Sequence, residues 1–385
     1  MTTTNRKEPA TNQQLPRAAQ RLEGIELSLI RQINALATPL SVNLGIGEPN
    51  VGPDERLREL ARRAATSDWH YSPNAGTLAL RRKLCEGTSY DPKSEVCVTA
   101  GTQEGLFAVF TGFVNPGDEV LVPDPGFLSY ATLAQICGAT AVRYELEPPD
   151  WEIDVAKLEE KITPRTKVII VNSPSNPLGS VASRETLERI AATGRVVISD
   201  EVYREIWYDE PPASMLDLGE RVVVLNGLSK SHAMTGLRLG WIHARASLMK
   251  TIITAHQYIA TCASVFSQSL AEMIFDDAQW NASWLAAVRS QFGDQREAAL
   301  YAIEHELEVR IASPRGAFYA FVPVPACESI PFAKTLATDA AVLVIPGVAF
   351  GPQGEGFIRI SYAAPVEQVT SGLERIGRHL RGSGR

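Results

Sequence analysis

The sequence predicts an α/β fold, with a large domain built on a mainly parallel sheet flanked by helices and a smaller α+β domain. Three observations lead there. Between about residues 100 and 245, short β-branched runs alternate with helical stretches, the order that strand–helix–strand units produce. Several of these runs, Lys167-Val168-Ile169-Ile170-Val171 and Arg195-Val196-Val197-Ile198 among them, are almost wholly apolar, as strands covered on both faces are. From about residue 285 the pattern changes to a long helical stretch, followed by Gly316-Ala317-Phe318-Tyr319-Ala320-Phe321 and more helix and strand.

Taken in order, residues 1 to about 15 are polar and lack periodicity, which suits an arm that is mobile or clasps a partner. Residues 96–99 read as a strand. Gly101-Thr102-Gln103 opens an apolar helical segment that runs to Phe113, and Pro116-Gly117-Asp118 marks a turn. Residues 119–122 read as a strand, 127–137 as a helix and 140–144 as a strand. The runs 167–171, 195–198 and 222–225 complete the strand set, and a long helix is expected around 296–307. The expected division is an N-terminal arm or part of the small domain over 1–40, a large domain over 41–285 and a small C-terminal domain over 286–385.

Composition narrows the function classes. With 45% hydrophobic and 21% charged residues in 385, the chain is an ordinary globular sequence rather than a disordered one. A formal net charge of -7 argues against a nucleic-acid footprint. No apolar run approaches a membrane span, and the polar N-terminus lacks the apolar core of a signal peptide. The five cysteines, at 85, 97, 137, 262 and 327, are odd in number and scattered, and the six histidines form no ligand cluster. The expectation is a cytoplasmic protein that uses no metal and binds neither nucleic acid nor membrane.

The most informative run is Asn226-Gly227-Leu228-Ser229-Lys230-Ser231-His232-Ala233-Met234-Thr235-Gly236-Leu237-Arg238-Leu239-Gly240-Trp241, which follows the apolar Val222-Val223-Val224-Leu225. Desolvation among small and apolar neighbours disfavours the ammonium form of Lys230 and frees its amine to attack a carbonyl. Taken alone, Lys230 also fits a surface lysine at a strand end. Further runs accompany it in order: Asn172-Ser173-Pro174-Ser175-Asn176-Pro177-Leu178-Gly179, then Val196-Val197-Ile198-Ser199-Asp200-Glu201-Val202-Tyr203, and near the C-terminus Gly356-Phe357-Ile358-Arg359-Ile360-Ser361. This ordered set, spanning roughly residues 40 to 365, resembles the pyridoxal-phosphate (PLP) aminotransferases of fold type I, the class I/II, aspartate aminotransferase-like family.

The resemblance implies the cofactor PLP, held as a Schiff base on Lys230. Gly101, Thr102 and Gln103, at a strand-to-helix junction that otherwise reads as an ordinary cap, become the phosphate loop, where free amides and the helix dipole favour an anion. Ser229 and Arg238 complete that cup. Gly227 stands where the family often has a further hydroxyl residue, so one phosphate contact is expected to be absent or replaced by backbone. Asp200, by its position a possible helix cap, becomes the partner of the pyridinium nitrogen, which it keeps protonated. Asn176, in isolation a turn residue, and Tyr203 donate to the ring's phenolate oxygen. Phe127, otherwise a core aromatic, stacks on the ring. Tyr71, in His70-Tyr71-Ser72-Pro73, matches a tyrosine that reaches a neighbouring subunit's phosphate, which implies a homodimer.

At the substrate end, Arg359 holds the α-carboxylate by its guanidinium fork, where the competing reading is a structural ion pair. Gly47, in Gly45-Ile46-Gly47-Glu48-Pro49, permits close backbone approach to the pocket. No second arginine is placed for a side-chain carboxylate in His256-Gln257-Tyr258-Ile259-Ala260, which favours a neutral, aromatic or otherwise unusual amino donor. The implied reaction moves an amino group from an L-amino acid to a 2-oxo acid. Alternatives on the same scaffold are a lyase, a cyclising enzyme or an amino-acid oxidase. A non-catalytic descendant is disfavoured because Lys230, Asp200 and Arg359 are all present.

Overall fold

Strand order explains where the polar residues of the chain gather. The computed structural model describes residues 18–325 and 328–382, so the arm expected over 1–15 and Cys327 lie outside the described residues. The larger sheet has seven strands in the order Val96–Thr99, Gly240–Ala244, Val222–Gly227, Val196–Asp200, Thr166–Asn172, Glu119–Asp124 and Thr140–Glu145. The last five run parallel, and Gly240–Ala244 is antiparallel to both of its neighbours. This is the mainly parallel sheet that the alternating runs predict.

Helices cover both faces, which is why the strands are apolar along their length. On one face Val168, Ile170, Ile198, Val223 and Leu225 pack with Leu106 and Phe110 of the helix Thr102–Phe113 and Ile252 of the helix Ala246–Ala260. On the other, Ile169, Val171, Val197 and Val224 join a core that holds Leu80 of Leu78–Leu84 and Leu187 of Arg184–Ala191. Five strands run further at their carboxyl ends than the apolar runs indicate, to Asp124, Glu145, Asn172, Asp200 and Gly227. Hydrophobic patterning reports burial between helices; of these last residues Asp200 lines a cavity, while Gly227 packs on the Leu239 carbonyl and Asp124 accepts from the Gln353 amide.

A second sheet, antiparallel, has the order Ile345–Pro346, Phe357–Ser361, Tyr319–Pro323. Val42–Asn43 pairs in parallel with Val342–Leu343, so the chain ahead of the large sheet docks on the C-terminal part. The long helix expected around 296–307 spans Ala278–Glu306, and position 285 lies inside it. Its buried residues, Trp284, Val288, Phe292, Gln295, Ala299 and Ala302, continue at three- or four-residue spacing, which keeps one stripe facing inward throughout. Among the described residues, no helix is long and apolar enough to cross a membrane.

Candidate active site

A cavity of about 350 Å³ opens at the carboxyl ends of the parallel strands and is closed on the far side by the antiparallel sheet. Ligands in open α/β sheets bind at this end, and the volume suits a small cofactor with its substrate.

Lys230 reaches it from the short helix Leu228–Ser231, directly after the strand Val222–Gly227. Its Nζ donates to the Gly47 carbonyl at 2.7 Å. Burial, reinforced by the nearby Arg359 charge, brings the amine pKa down to about 8. A substantial fraction of the amine is therefore neutral near physiological pH.

Asp200 ends its strand beside Asn172, its registered neighbour on the next strand. The carboxylate is buried; Oδ2 accepts from the Tyr130 hydroxyl at 2.8 Å and Oδ1 from the Val202 amide at 3.3 Å. Burial raises its pKa, and the Tyr130 hydrogen bond opposes that rise. Asn172 ties the neighbourhood together: its Nδ2 donates to the Asp200 carbonyl at 2.9 Å and its Oδ1 accepts from the Asn176 amide at 2.8 Å. Tyr203 shares a 2.7 Å hydroxyl hydrogen bond with Tyr319, and Lys230 Nζ lies 5.8 Å from the Tyr203 ring centroid.

Arg359 projects from Phe357–Ser361 and is 1% exposed. Nη1 donates to Asn176 Oδ1 at 3.0 Å, Nη2 donates to the Gly45 carbonyl, and the guanidinium lies 4.5 Å from the Tyr319 ring centroid. Its Nε is buried without a partner, and no carboxylate pairs with it among the described residues. A buried cation without an anion is costly, so this guanidinium could take up an anion there.

At the opposite end the helix Thr102–Phe113 begins at Gly101, whose φ of +86° is a left-handed conformation that glycine adopts without strain. A Cβ there would stand 2.6 Å from Arg238 Nη2, so the loop is closed down onto the guanidinium. Arg238 donates to the Thr235 carbonyl at 2.8 Å and has no acidic partner among the described residues. Gly227 is packed against the neighbouring strand: a Cβ would lie 2.8 Å from the Leu239 carbonyl oxygen. No side chain fits there without moving backbone.

The cavity brings together Gly47, Thr102, Gln103, Phe127, Asn176, Asp200, Tyr203, Ser229, Lys230, Arg238 and Arg359. Gly101 stands just behind Arg238. Tyr71 does not take part: it is 87% exposed and borders a separate surface hollow with Trp69, Cys262 and Phe266.

The sequence model of the family described as aminotransferase class I and II matches residues 41–376. The chain belongs to this family. It is 33% identical to aromatic-amino-acid aminotransferase 2 of Thermococcus litoralis, over 94% of this chain and 98% of that one. The aspartate aminotransferase of Pyrococcus abyssi is also 33% identical, with the same coverage. Among solved structures, aspartate aminotransferase from Thermus thermophilus with maleate superposes with a TM-score of 0.89 at 30% identity, over 94% of this chain and all of that one (100%). The aromatic aminotransferase of Pyrococcus horikoshii gives 0.85 at 32% identity, over 92% and 99%. The fold is that of the fold-type I PLP enzymes, and this aminotransferase is a PLP-dependent transferase of amino groups between amino acids and 2-oxo acids.

The residues of this aminotransferase fit PLP. A helix N-terminus and the unpaired Arg238 offer a phosphate site, and a buried carboxylate, Asp200, awaits a cation. Sequence reading passed over Tyr130, Asn172 and Tyr319, which hold Asp200, Asn176 and Tyr203 in place. It also passed over Arg31, which lines the cavity. Asn172 opens the quoted Asn-Ser-Pro run and was the one of the four with a visible signal. The others come from segments whose approach to the site only folding creates.

Proposed function

We propose that both halves of amino transfer take place in this cavity, with Lys230 as the amine that attaches PLP and then carries the proton. The placement of Lys230 carries this reading: it lines one cavity with Asp200, Arg238 and Arg359, where desolvation favours the neutral amine. A neutral Nζ would hold PLP, and the same amine would be the base placed to take a proton at the substrate Cα and deliver it on the cofactor side. PLP, when bound, supplies the electron-withdrawing ring that makes that Cα–H acidic.

The remaining roles are those the family resemblance implies, and the gathering of these residues around one cavity supports them. Arg359 orients the substrate α-carboxylate through its unpartnered Nε edge. Asp200 would hold a proton on the cofactor's pyridine nitrogen, and the Tyr130 hydrogen bond favours its ionised form against the effect of burial. Asn176 and Tyr203 would donate to the ring oxygen, Phe127 would cover the ring, and Gly101, Thr102, Gln103, Ser229 and Arg238 would hold the phosphate. Gly47 presents backbone to the substrate.

Assembly belongs to the same proposal. Tyr71 completes the phosphate site of a second copy in a homodimer, which is supported by its 87% exposure beside Trp69, itself 76% exposed. The division into 1–40, 41–285 and 286–385 and a cytoplasmic location are proposed on the sequence pattern alone.

Lys230→Ala tests the central assignment. It should abolish turnover, a loss of several orders of magnitude, together with the borohydride-reducible link to the cofactor. A reduced pyridoxyl group recovered on a different lysine would overturn it.

A further inference from the structure

We infer that His256 is a positioning residue for the cofactor phosphate: it clamps the Glu104 carboxylate away from the helix amides that the phosphate would use. The inference rests on the reading of Gly101, Thr102 and Gln103 as the phosphate loop. Glu104 lies in the first turn of the helix Thr102–Phe113. Of the amides around it, that of Ala100 donates to Glu104 Oε2 at 3.1 Å and that of Gly101 to the Thr99 carbonyl at 2.8 Å. Those of Thr102, Gln103 and Glu104 have no carbonyl to bond within the helix, and the Gly101 cap has no side chain to offer them. A carboxylate in the first turn carries the charge that a helix N-terminus attracts. Left free, Glu104 would compete with the phosphate for the same amides.

His256 keeps it from doing so. The imidazole is fully buried on the helix Ala246–Ala260, which packs against Thr102–Phe113. Nδ1 stands 3.0 Å from Glu104 Oε1 and 3.1 Å from Oε2. Facing two carboxylate oxygens, Nδ1 carries the proton and donates. Nε2 is buried and meets no partner among the described residues, so the clamp is the ring's one polar engagement there. The clamped helix has little room to roll. A Cβ on Gly105 would lie 3.1 Å from Leu225 Cδ2, and one on Gly112 would lie 3.1 Å from Thr251 Cγ2, so the helix sits close on both the sheet and its neighbour. Thr102 and Gln103 line the cavity, whereas Glu104 and His256 are not among its lining residues. The segment 256–260, which holds no arginine for a substrate, supplies this clamp at the cofactor end instead.

The test compares PLP with pyridoxal, which keeps the ring and the aldehyde and lacks the phosphate, in absorbance titrations of the full-length protein freed of cofactor. The ratio of the two affinities reads the phosphate site. His256→Leu releases the carboxylate and should lower the ratio about tenfold, the scale of a charge at a partly buried helix N-terminus, while pyridoxal affinity changes little. His256→Asn still presents a donor and should keep most of the ratio. Glu104→Asp, too short for the clamp and still charged, should lower the ratio as His256→Leu does and leaves the buried imidazole in place. Glu104→Gln removes the competing charge and should keep the ratio. In that background His256→Leu should cost less than about threefold, since the two residues act as one unit. Equal losses for PLP and pyridoxal, a loss that persists undiminished in the Glu104→Gln background, or an unchanged ratio in Glu104→Asp would overturn the inference. Arg238→Ala checks the phosphate site apart from the clamp. A ratio that it leaves unchanged would strike both readings; a ratio that it lowers while His256→Leu and Glu104→Asp do not would strike the clamp alone.

Discussion

Lys230 and Arg359 are coupled through charge, and the coupling has a sign that can be measured. A lysine amine in an unfolded chain titrates near about 10.4, and in the folded cavity Lys230 titrates at about 8. Between those values the unfolded chain holds more protons. In the cofactor-free protein this group therefore makes stability rise with pH across that window, with its full penalty present below about pH 8. The rate of cofactor attachment should rise with pH and level off near the same value, since only the neutral amine attacks. Arg359→Leu removes a positive neighbour, so the Lys230 pKa should move up and the attachment profile should shift to more alkaline pH. Stopped-flow absorbance of cofactor-free protein mixed with PLP reads this directly. A profile that stays in place would show that desolvation alone sets the amine.

At the scale of elements, the site is made where strands stop and helices start. Gly227 closes the strand Val222–Gly227 against the antiparallel strand Gly240–Ala244, with which it is in register at Gly240. The neighbouring atoms that a side chain would meet are backbone, the Leu239 oxygen at 2.8 Å and the Gly240 Cα at 3.1 Å. Gly227→Ser, which would place a hydroxyl where relatives often have one, should therefore destabilise the fold by about 1–3 kcal/mol. It should not tighten PLP binding. Denaturant unfolding and a cofactor titration check the two halves; a serine variant of unchanged stability that binds PLP more tightly would contradict the packing argument.

At the scale of the whole molecule, the proposed dimer makes each cavity depend on two chains. The loop carrying Trp69 and Tyr71 is tied to the 261–266 segment, with Asn74 Nδ2 donating to the Thr261 carbonyl at 2.8 Å, so the exposed aromatics sit on an ordered platform. If Tyr71 serves the second copy's phosphate, Lys230→Ala and Tyr71→Ala protomers, each nearly inactive alone, should recover activity when mixed. One site of a mixed dimer then holds both intact residues, and random pairing predicts about a quarter of wild-type activity per total protein. Full activity in a protomer that sediments as a monomer during the assay would reject the arrangement.

Much of this protein is legible in its sequence because its site residues sit at the ends of strongly patterned strands. Asp200 follows four residues of a buried strand, and Lys230 follows another almost immediately, so alternation of apolar runs and helices already places both at one edge of a sheet. The strand ends at Asp124 and Gly227 were not legible, since the apolar runs stop two residues earlier. Tyr130, Tyr319 and Arg31 belong to elements whose patterns report only their own buried faces. Tyr130 reaches Asp200 across 70 positions, and Tyr319 reaches Tyr203 across 116. Arg31 and Arg359 come to one cavity from near opposite ends of the chain, through the parallel pairing of Val42–Asn43 with Val342–Leu343 and the asparagine links beside it. Local pattern determined the elements and the chemistry they carry. Which distant side chains meet was decided by tertiary packing, because a contact between remote residues leaves no periodicity in either segment.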